Sequence, residues 1–412
     1  MELLKKLKSY FKSDQVQMFV LFLDDFFPSE KLFNLFGFPF FDGLHNAEDE
    51  KLKIRKRRIF WFSVLLTLFF TFLSFANFIL IVGKHEKFEE SVESFGAVVV
   101  MVFVLLKALF LCYWKRKAIK DIIDRFEKHL PHTNLLQLQF GVNKNYKIIK
   151  MTFYIILIFY NYLWIHYSVI AFFSFCSEFF DLNLMKVQLL MPIYYPLDPY
   201  QPWLYPIFFF FEVWIVFMIT MIFASTDLLF CSLVAVNSME FDILAQKISQ
   251  IDPESDEQAE GKLEKIIDAY NDLYEITKKV EEIFSLILLG QVFQSIIALC
   301  VVVFLSFTPQ EFQKLIKFMS ALPFMFIQCF CACYYSQQLQ TSSMRVADEA
   351  YNCNWYGKNL KFRKMILLTM LRAPKPQKLT GWKFMDIGLP VFYWILKTIF
   401  SIYSILRGLY EA

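Results

Sequence analysis

The sequence holds no helical pair of ligand histidines, no glycine-rich phosphate loop and no nucleophile elbow, so the common routes to enzymatic chemistry are missing. Cys329, Cys331 and Cys333 lie close together, but alternate residues on a helix point in different directions. No histidine is near them, and core thiols rather than a metal centre are expected. Neither metal nor cofactor is implied. Glycine is scarce, at 11 in 412 residues, and no internal repeat is present, which argues against a secondary transporter built from repeats and broken helices. There is no Asn-x-Ser/Thr sequon, and most of the eight cysteines fall inside apolar runs, which excludes a secreted disulfide framework. The basic first residues are followed by an apolar stretch that Asp14, Asp24 and Asp25 interrupt. It lacks a small-residue cleavage site, so no removable signal peptide is expected. A net charge of +3 is too small to indicate nucleic acid.

What is present is apolar and aromatic: 57% hydrophobic residues, with 51 Phe and 20 Tyr, a balance no ordinary soluble domain needs. A bilayer core about 30 Å thick takes roughly 20 apolar residues in a helix. Seven segments reach that length: about 59–82, 95–114, 151–176, 206–236, 283–307, 318–340 and 384–407. The first carries no charge, and the sixth contains Gln328 and a polar tail.

Lys and Arg set the orientation. Eleven precede the first span, nine lie in 115–150, five in 238–282 and nine in 341–383, whereas 83–94, 177–205 and 308–317 hold two, one and two. The run Lys51, Lys53, Arg55, Lys56, Arg57, Arg58 abuts the first span directly. The amino terminus is therefore cytoplasmic and, with seven crossings, the carboxyl terminus extracellular. A G-protein-coupled receptor has the opposite orientation.

Most outer connections are short. The exception, 177–205, carries Pro192, Pro196, Pro199, Pro202 and then Pro206, and reads either as a stiff lid over the outer mouth or as a rigid loop. Inside, Leu263, Ile266, Ile267, Tyr270, Leu273, Tyr274 and Ile276 recur at helical spacing, with Asp252 and Pro253 as a helix start. This helix is expected to run unbroken into the span at Ile283. A second cytoplasmic helix has an apolar side of Trp355, Phe362, Met365, Ile366 and Leu368 or Thr369 through Met370, and Pro374 and Pro376 end it. Its partner is either the same chain or a neighbouring subunit. Lys107 and Glu212 fall inside spans, where a charge requires pairing, snorkelling or water.

The run Ala350–Tyr356, then Lys364–Pro376, then Leu379–Gly381 and the closing Lys397–Arg407 resembles, in order and spacing, the signature of the insect odorant receptor family. Leu32–Phe40 resembles the short apolar segment that precedes the first span there. Instead of the gustatory-receptor pattern of Thr-Tyr followed five residues later by Gln-Phe, the chain has Ile402-Tyr403-Ser404-Ile405-Leu406-Arg407. Its 238–282 connection is also much shorter than that of the shared co-receptor. An odorant-tuning subunit fits best, with a gustatory-receptor-like channel or a seven-span transporter for a small apolar ligand as alternatives.

The resemblance implies a heterotetramer with co-receptor subunits in the plasma membrane of olfactory sensory dendrites. A small volatile organic ligand would open a path for monovalent and divalent cations among membrane lipids. The division it implies is a cytoplasmic amphipathic segment 1–58, spans 1–6 with an outer-half pocket in 59–340, an anchor helix and linker in 341–383, and a pore-lining last span in 384–412. In the outer halves of spans 2, 3, 4 and 6 the ligand candidates are Val98, Met101, Val102, His166, Tyr167, Ile170, Phe210, Trp214 and Phe324. His166, Tyr167 and Trp214 are the hydrogen-bond donors among them. Tyr403, Leu406, Arg407 and Tyr410 are the pore and gate candidates, and Trp355, Phe362, Met365 and Ile366 the assembly candidates. A ligand of roughly 12 heavy atoms at about 0.3 to 0.5 kcal/mol each gains about 4 to 6 kcal/mol, so affinity falls between millimolar and tens of micromolar.

Overall fold

The computed structural model describes residues 50–84, 88–129, 139–180, 190–198, 201, 203–251, 258–307 and 312–411. The segment containing Leu32–Phe40 and the helix start at Asp252 and Pro253 lie outside the described residues. Helix α1 covers Glu50–Gly83, α2 Phe88–Leu109, α3 Arg116–His129, α4 Val142–Phe179, α5 Tyr205–Ser249, α6 Ala259–Phe307, α7 Phe312–Asn352, α8 Leu360–Arg372 and α9 Leu389–Glu411. The only strands among the described residues are β1 (Thr380–Gly381) and β2 (Met385–Asp386), which pair antiparallel. The fold is all-α.

Among the described residues six helices, α1, α2, α4, α5, α6 and α7, are long and apolar enough to cross a membrane. The seventh, α9, has 23 residues, a length of about 35 Å that exceeds the bilayer core of about 30 Å. It starts later than the sequence reading places it. Residues 384–388 belong to the hairpin and its exit, Phe384 is 77% exposed, and the helix opens at Leu389 with Pro390 in its first turn, where a missing N–H costs nothing. The second span likewise leaves regular α geometry at Leu109 and finishes through a wider π turn, Phe110–Trp114.

Lipid is as apolar as Leu, so helix faces sort by size and polarity rather than by hydrophobicity. Helix α1 turns Phe62, Leu65, Phe69 and Phe72 outward and buries Ser63, Thr67, Thr71 and Ser74. The first three hydroxyls donate to carbonyls one turn back, at 2.7–2.9 Å, which satisfies them without water. Two glycines let α2 and α6 approach closely: a Cβ on Gly96 would sit 2.9 Å from Val301 Cγ1, and one on Gly290 2.6 Å from Phe103 Cε2. Helix α5 is the central post, buried almost continuously from Ile215 to Ile248 and packed most extensively on α7.

Helices α5, α6 and α7, of 45, 49 and 41 residues, run about 60 to 75 Å and overshoot the bilayer on the cytoplasmic side. The unbroken helix anticipated through Ile283 is observed as α6. Its inner stripe Leu263, Ile266, Tyr270, Leu273 and Ile276 is buried, and Tyr270 packs its ring on Phe241 of α5. Helix α8 is capped by Asn359, whose side chain accepts from Phe362 N at 3.0 Å. It buries Phe362, Ile366 and Thr369, so Thr369 rather than Leu368 completes the inward stripe.

Candidate ligand site

The outer-half candidates do not converge on one space. Met101 and Phe324 are buried in the main core, and Val98, His166, Tyr167 and Ile170 are half-buried. Val102, Phe210 and Trp214 are turned outward, Phe210 to 67% exposure. His166 stacks on Tyr162 with centroids 5.4 Å apart. Tyr167 bridges the main core to a smaller cluster of Ala171, Leu190 and Val216. The interface of α4 with α5 at this level is aromatic: Phe175 stacks on Tyr205 at 4.5 Å, Tyr205 donates to the Ala171 carbonyl, and Trp164 Nε1 donates to the Val213 carbonyl.

Glu212 is fully buried, and its role is clear from its partners. It accepts from Leu190 N and from Tyr195 Oη, both at 2.6 Å, which ties the outer 177–205 connection to α5. The same segment is held from α1, where Asn77 Nδ2 donates to the Pro192 carbonyl at 3.3 Å. Ile193 enters the main core. The described part of this connection is therefore fastened onto the bundle from two sides.

Deeper, toward the cytoplasm, lies a polar cluster that the sequence reading did not assemble. Lys107 of α2 is 3% exposed and forms an ion pair with Asp227 of α5. Its ammonium also lies 5.3 Å and 5.1 Å from the ring centroids of Phe103 and Phe223. Asp227 Oδ2 accepts from Tyr160 Oη at 2.6 Å and from Gln328 Nε2 at 2.7 Å. Four helices thus meet on one carboxylate. Asp227 was accessible to sequence reasoning: at 1.5 Å per residue Lys107 and Asp227 both stand about 10 to 14 Å above the inner ends of their expected spans. Two opposite charges at one depth within an apolar bundle are an ion-pair signal.

On α9, Ile395 and Ile399 are buried, and Phe392 packs against Phe326 and Phe330 of α7. Tyr393, Lys397, Phe400, Ser401, Ser404 and Arg407 are exposed on the opposite side, and Tyr403 is half-buried. The side chains of Leu406 and Tyr410 lie outside the described residues. Of the assembly candidates, Phe362 and Ile366 are buried within this chain, and Trp355 and Met365 are half-buried. The apolar residues that α8 leaves exposed are others: Leu360, Leu367, Leu368 and Leu371.

Among the described residues, six long apolar helices and the shorter α9 around an aromatic, sparsely polar interior define a multi-pass, all-α membrane protein. The family described as 7tm odorant receptor matches residues 87–400, and the chain belongs to it. It is similar to odorant receptor 85b of Drosophila melanogaster, with 21% identity over 373 residues covering 89% of this chain and 94% of that one. With putative odorant receptor 85d of the same organism it shares 26% identity over 188 residues, 45% of this chain and 46% of the relative. Alignments to several relatives thus span about half their length. The fold matches the insect olfactory receptor OR5 from Machilis hrabei in complex with eugenol at a TM-score of 0.79 and 13% identity, over 92% of this chain and 97% of that one.

Proposed function

We propose that this odorant receptor is a tuning subunit of a heterotetrameric, ligand-gated cation channel, assembled with co-receptor subunits in the plasma membrane of olfactory sensory neuron dendrites. The observation that carries the reading is the exposed face of α9. An exposed lysine well inside an otherwise apolar span costs about 2.5 to 3.5 kcal/mol in lipid on insertion scales, and Lys397 shares its side of the helix with Ser401, Ser404 and Arg407. A water-filled path removes that cost. Positive rings oppose cations, so few copies of this chain per channel are expected, with co-receptor as the majority.

The ligand is a small volatile held by apolar and aromatic contacts within the bundle. Moving a gate from 1:99 to 99:1 takes about 5.5 kcal/mol of differential binding, so one weakly bound odorant opens the channel only in part. Cytoplasmic assembly draws on the apolar side of α8 that its own chain leaves exposed.

The test is coexpression with co-receptor under voltage clamp. Odorant-evoked current is expected with both subunits and little with this chain alone. A cysteine placed at Ser404 is expected to react with a membrane-impermeant thiol reagent and to change that current. Silence to a broad volatile panel, or an inert Ser404→Cys channel, counts against the reading.

A further inference from the structure

The cluster around Asp227 borders an internal cavity of about 30 Å³, enough for one or two waters or for the polar end of a larger molecule. Its polar lining is Lys107, Tyr160, Asp227, Gln291, Gln328 and Thr226, whose hydroxyl donates to helix carbonyls, together with the thiols of Cys231 and Cys331, and the rest is apolar, including Ile156, Phe284 and Ile327. The donors and acceptors do not balance. Asp227 already accepts from Lys107, Tyr160 and Gln328. Gln291 of α6, 6% exposed, donates through Nε2 to Gln294 Oε1 at 3.3 Å, but its own Oε1 is enclosed and has no partner among the described residues. The cavity therefore offers an acceptor that lacks a donor.

We propose that Gln291 is a specificity-determining acceptor, and that this cavity takes the hydroxyl of a small alcohol or phenol whose apolar body lies in the outer half of the bundle. The inference rests on the reading of the chain as a receptor for small volatiles. A hydroxyl brings the missing donor and replaces whatever hydrogen bond a water makes there, whereas an ether or ketone sets an acceptor against an acceptor. Phe324 stands one turn outward of Gln328 on α7, and its ring meets that of Tyr160 edge-on at 4.6 Å, so a ligand that reaches the cavity from the outer half parts this aromatic pair. Selection comes from Gln291, while Lys107, Asp227, Tyr160 and Gln328 hold one another in place around it.

The test compares two isomers of equal size, 1-octanol and 1-methoxyheptane. The full chain, coexpressed and purified with co-receptor in lipid nanodiscs, is titrated with each and followed by its thermal melting, and current is recorded from the same pair of subunits. The parent is expected to respond to the alcohol at about tenfold lower concentration than to the ether. In Gln291→Met, which keeps the volume and removes the acceptor, the ratio is expected to fall below about threefold with the ether unaffected. Gln291→Asn, with the amide withdrawn by one methylene, should be intermediate and serves if the methionine variant does not fold. An alcohol-selective melting shift that Gln291→Met loses, without current from the parent, supports the site and counts against the channel. Equal titration by the two isomers, no melting shift with either, or a preference unchanged in Gln291→Met and Gln291→Asn overturns the proposal.

Discussion

Lys107 and Asp227 face each other across the junction of α2 and α5, with their side chains 3% and 18% exposed. A buried pair of this kind adds little over a well-packed apolar pair, but deleting one partner strands a charge at a cost of about 3 to 5 kcal/mol. Lys107→Met and Asp227→Leu are each expected to lower the melting temperature and surface expression sharply. The double variant should be less damaged than either single one. Melting curves of the three in detergent check this, and losses that simply add would show that the pair is uncoupled.

Gly290 and Phe103 set the spacing of α2 and α6. Gly290→Ala places a Cβ 2.6 Å from the Phe103 ring, and overpacking of this kind costs about 1 to 3 kcal/mol. Phe103→Leu introduced alongside should restore part of the loss, because a shorter side chain can yield. Thermal melting of the single and double variants reads the difference.

Glu212 fastens the outer connection. In Glu212→Gln one oxygen becomes an NH₂ group facing a donor, either the Leu190 amide or the Tyr195 hydroxyl, so a hydrogen bond to a charged acceptor, of order 1.5 to 3 kcal/mol, is lost. The 177–205 connection should then open more often and be cut faster by protease added outside intact cells. An unchanged cleavage rate would mean that its other attachments suffice.

The cytoplasmic helix α3 is tied to α6 by charge. Lys279 donates to Asp121 at 2.7 Å and holds its carboxyl below the usual value of 3.8, with Arg125 reinforcing the effect. A carboxylate with a lowered folded-state pKa adds stability above its ordinary titration range and loses it as the pH falls through the folded-state value. The link between α3 and α6 should therefore be insensitive between pH 7 and 5 and weaken only below about 4. Amide hydrogen exchange in α3, compared between the parent and Asp121→Asn, should show that acid dependence in the parent alone. The site is exposed, so the effect is small.

Much of this architecture is written in one dimension. The lengths of the apolar runs, the basic residues beside them, and the 3.6-residue recurrence from Leu263 to Ile276 determine the spans, their direction and the continuation of α6 into the cytoplasm. Each depends only on local chemistry: helix rise against bilayer thickness, charge against the membrane surface, and a stripe that needs cover. Even the pairing of Lys107 with Asp227 leaves a trace in their matching depths.

Which aromatic side chains face inward is not written there. In water a buried phenylalanine betrays itself by being apolar, but lipid and protein interior are equally apolar, so Phe324 at 5% exposure and Phe210 at 67% occupy equally hydrophobic surroundings in the sequence. Only the packing of α4, α5 and α7 decides between them. The unpaired acceptor of Gln291 is likewise a property of the assembled bundle, because a hydrogen bond is missing only once every neighbour has been placed.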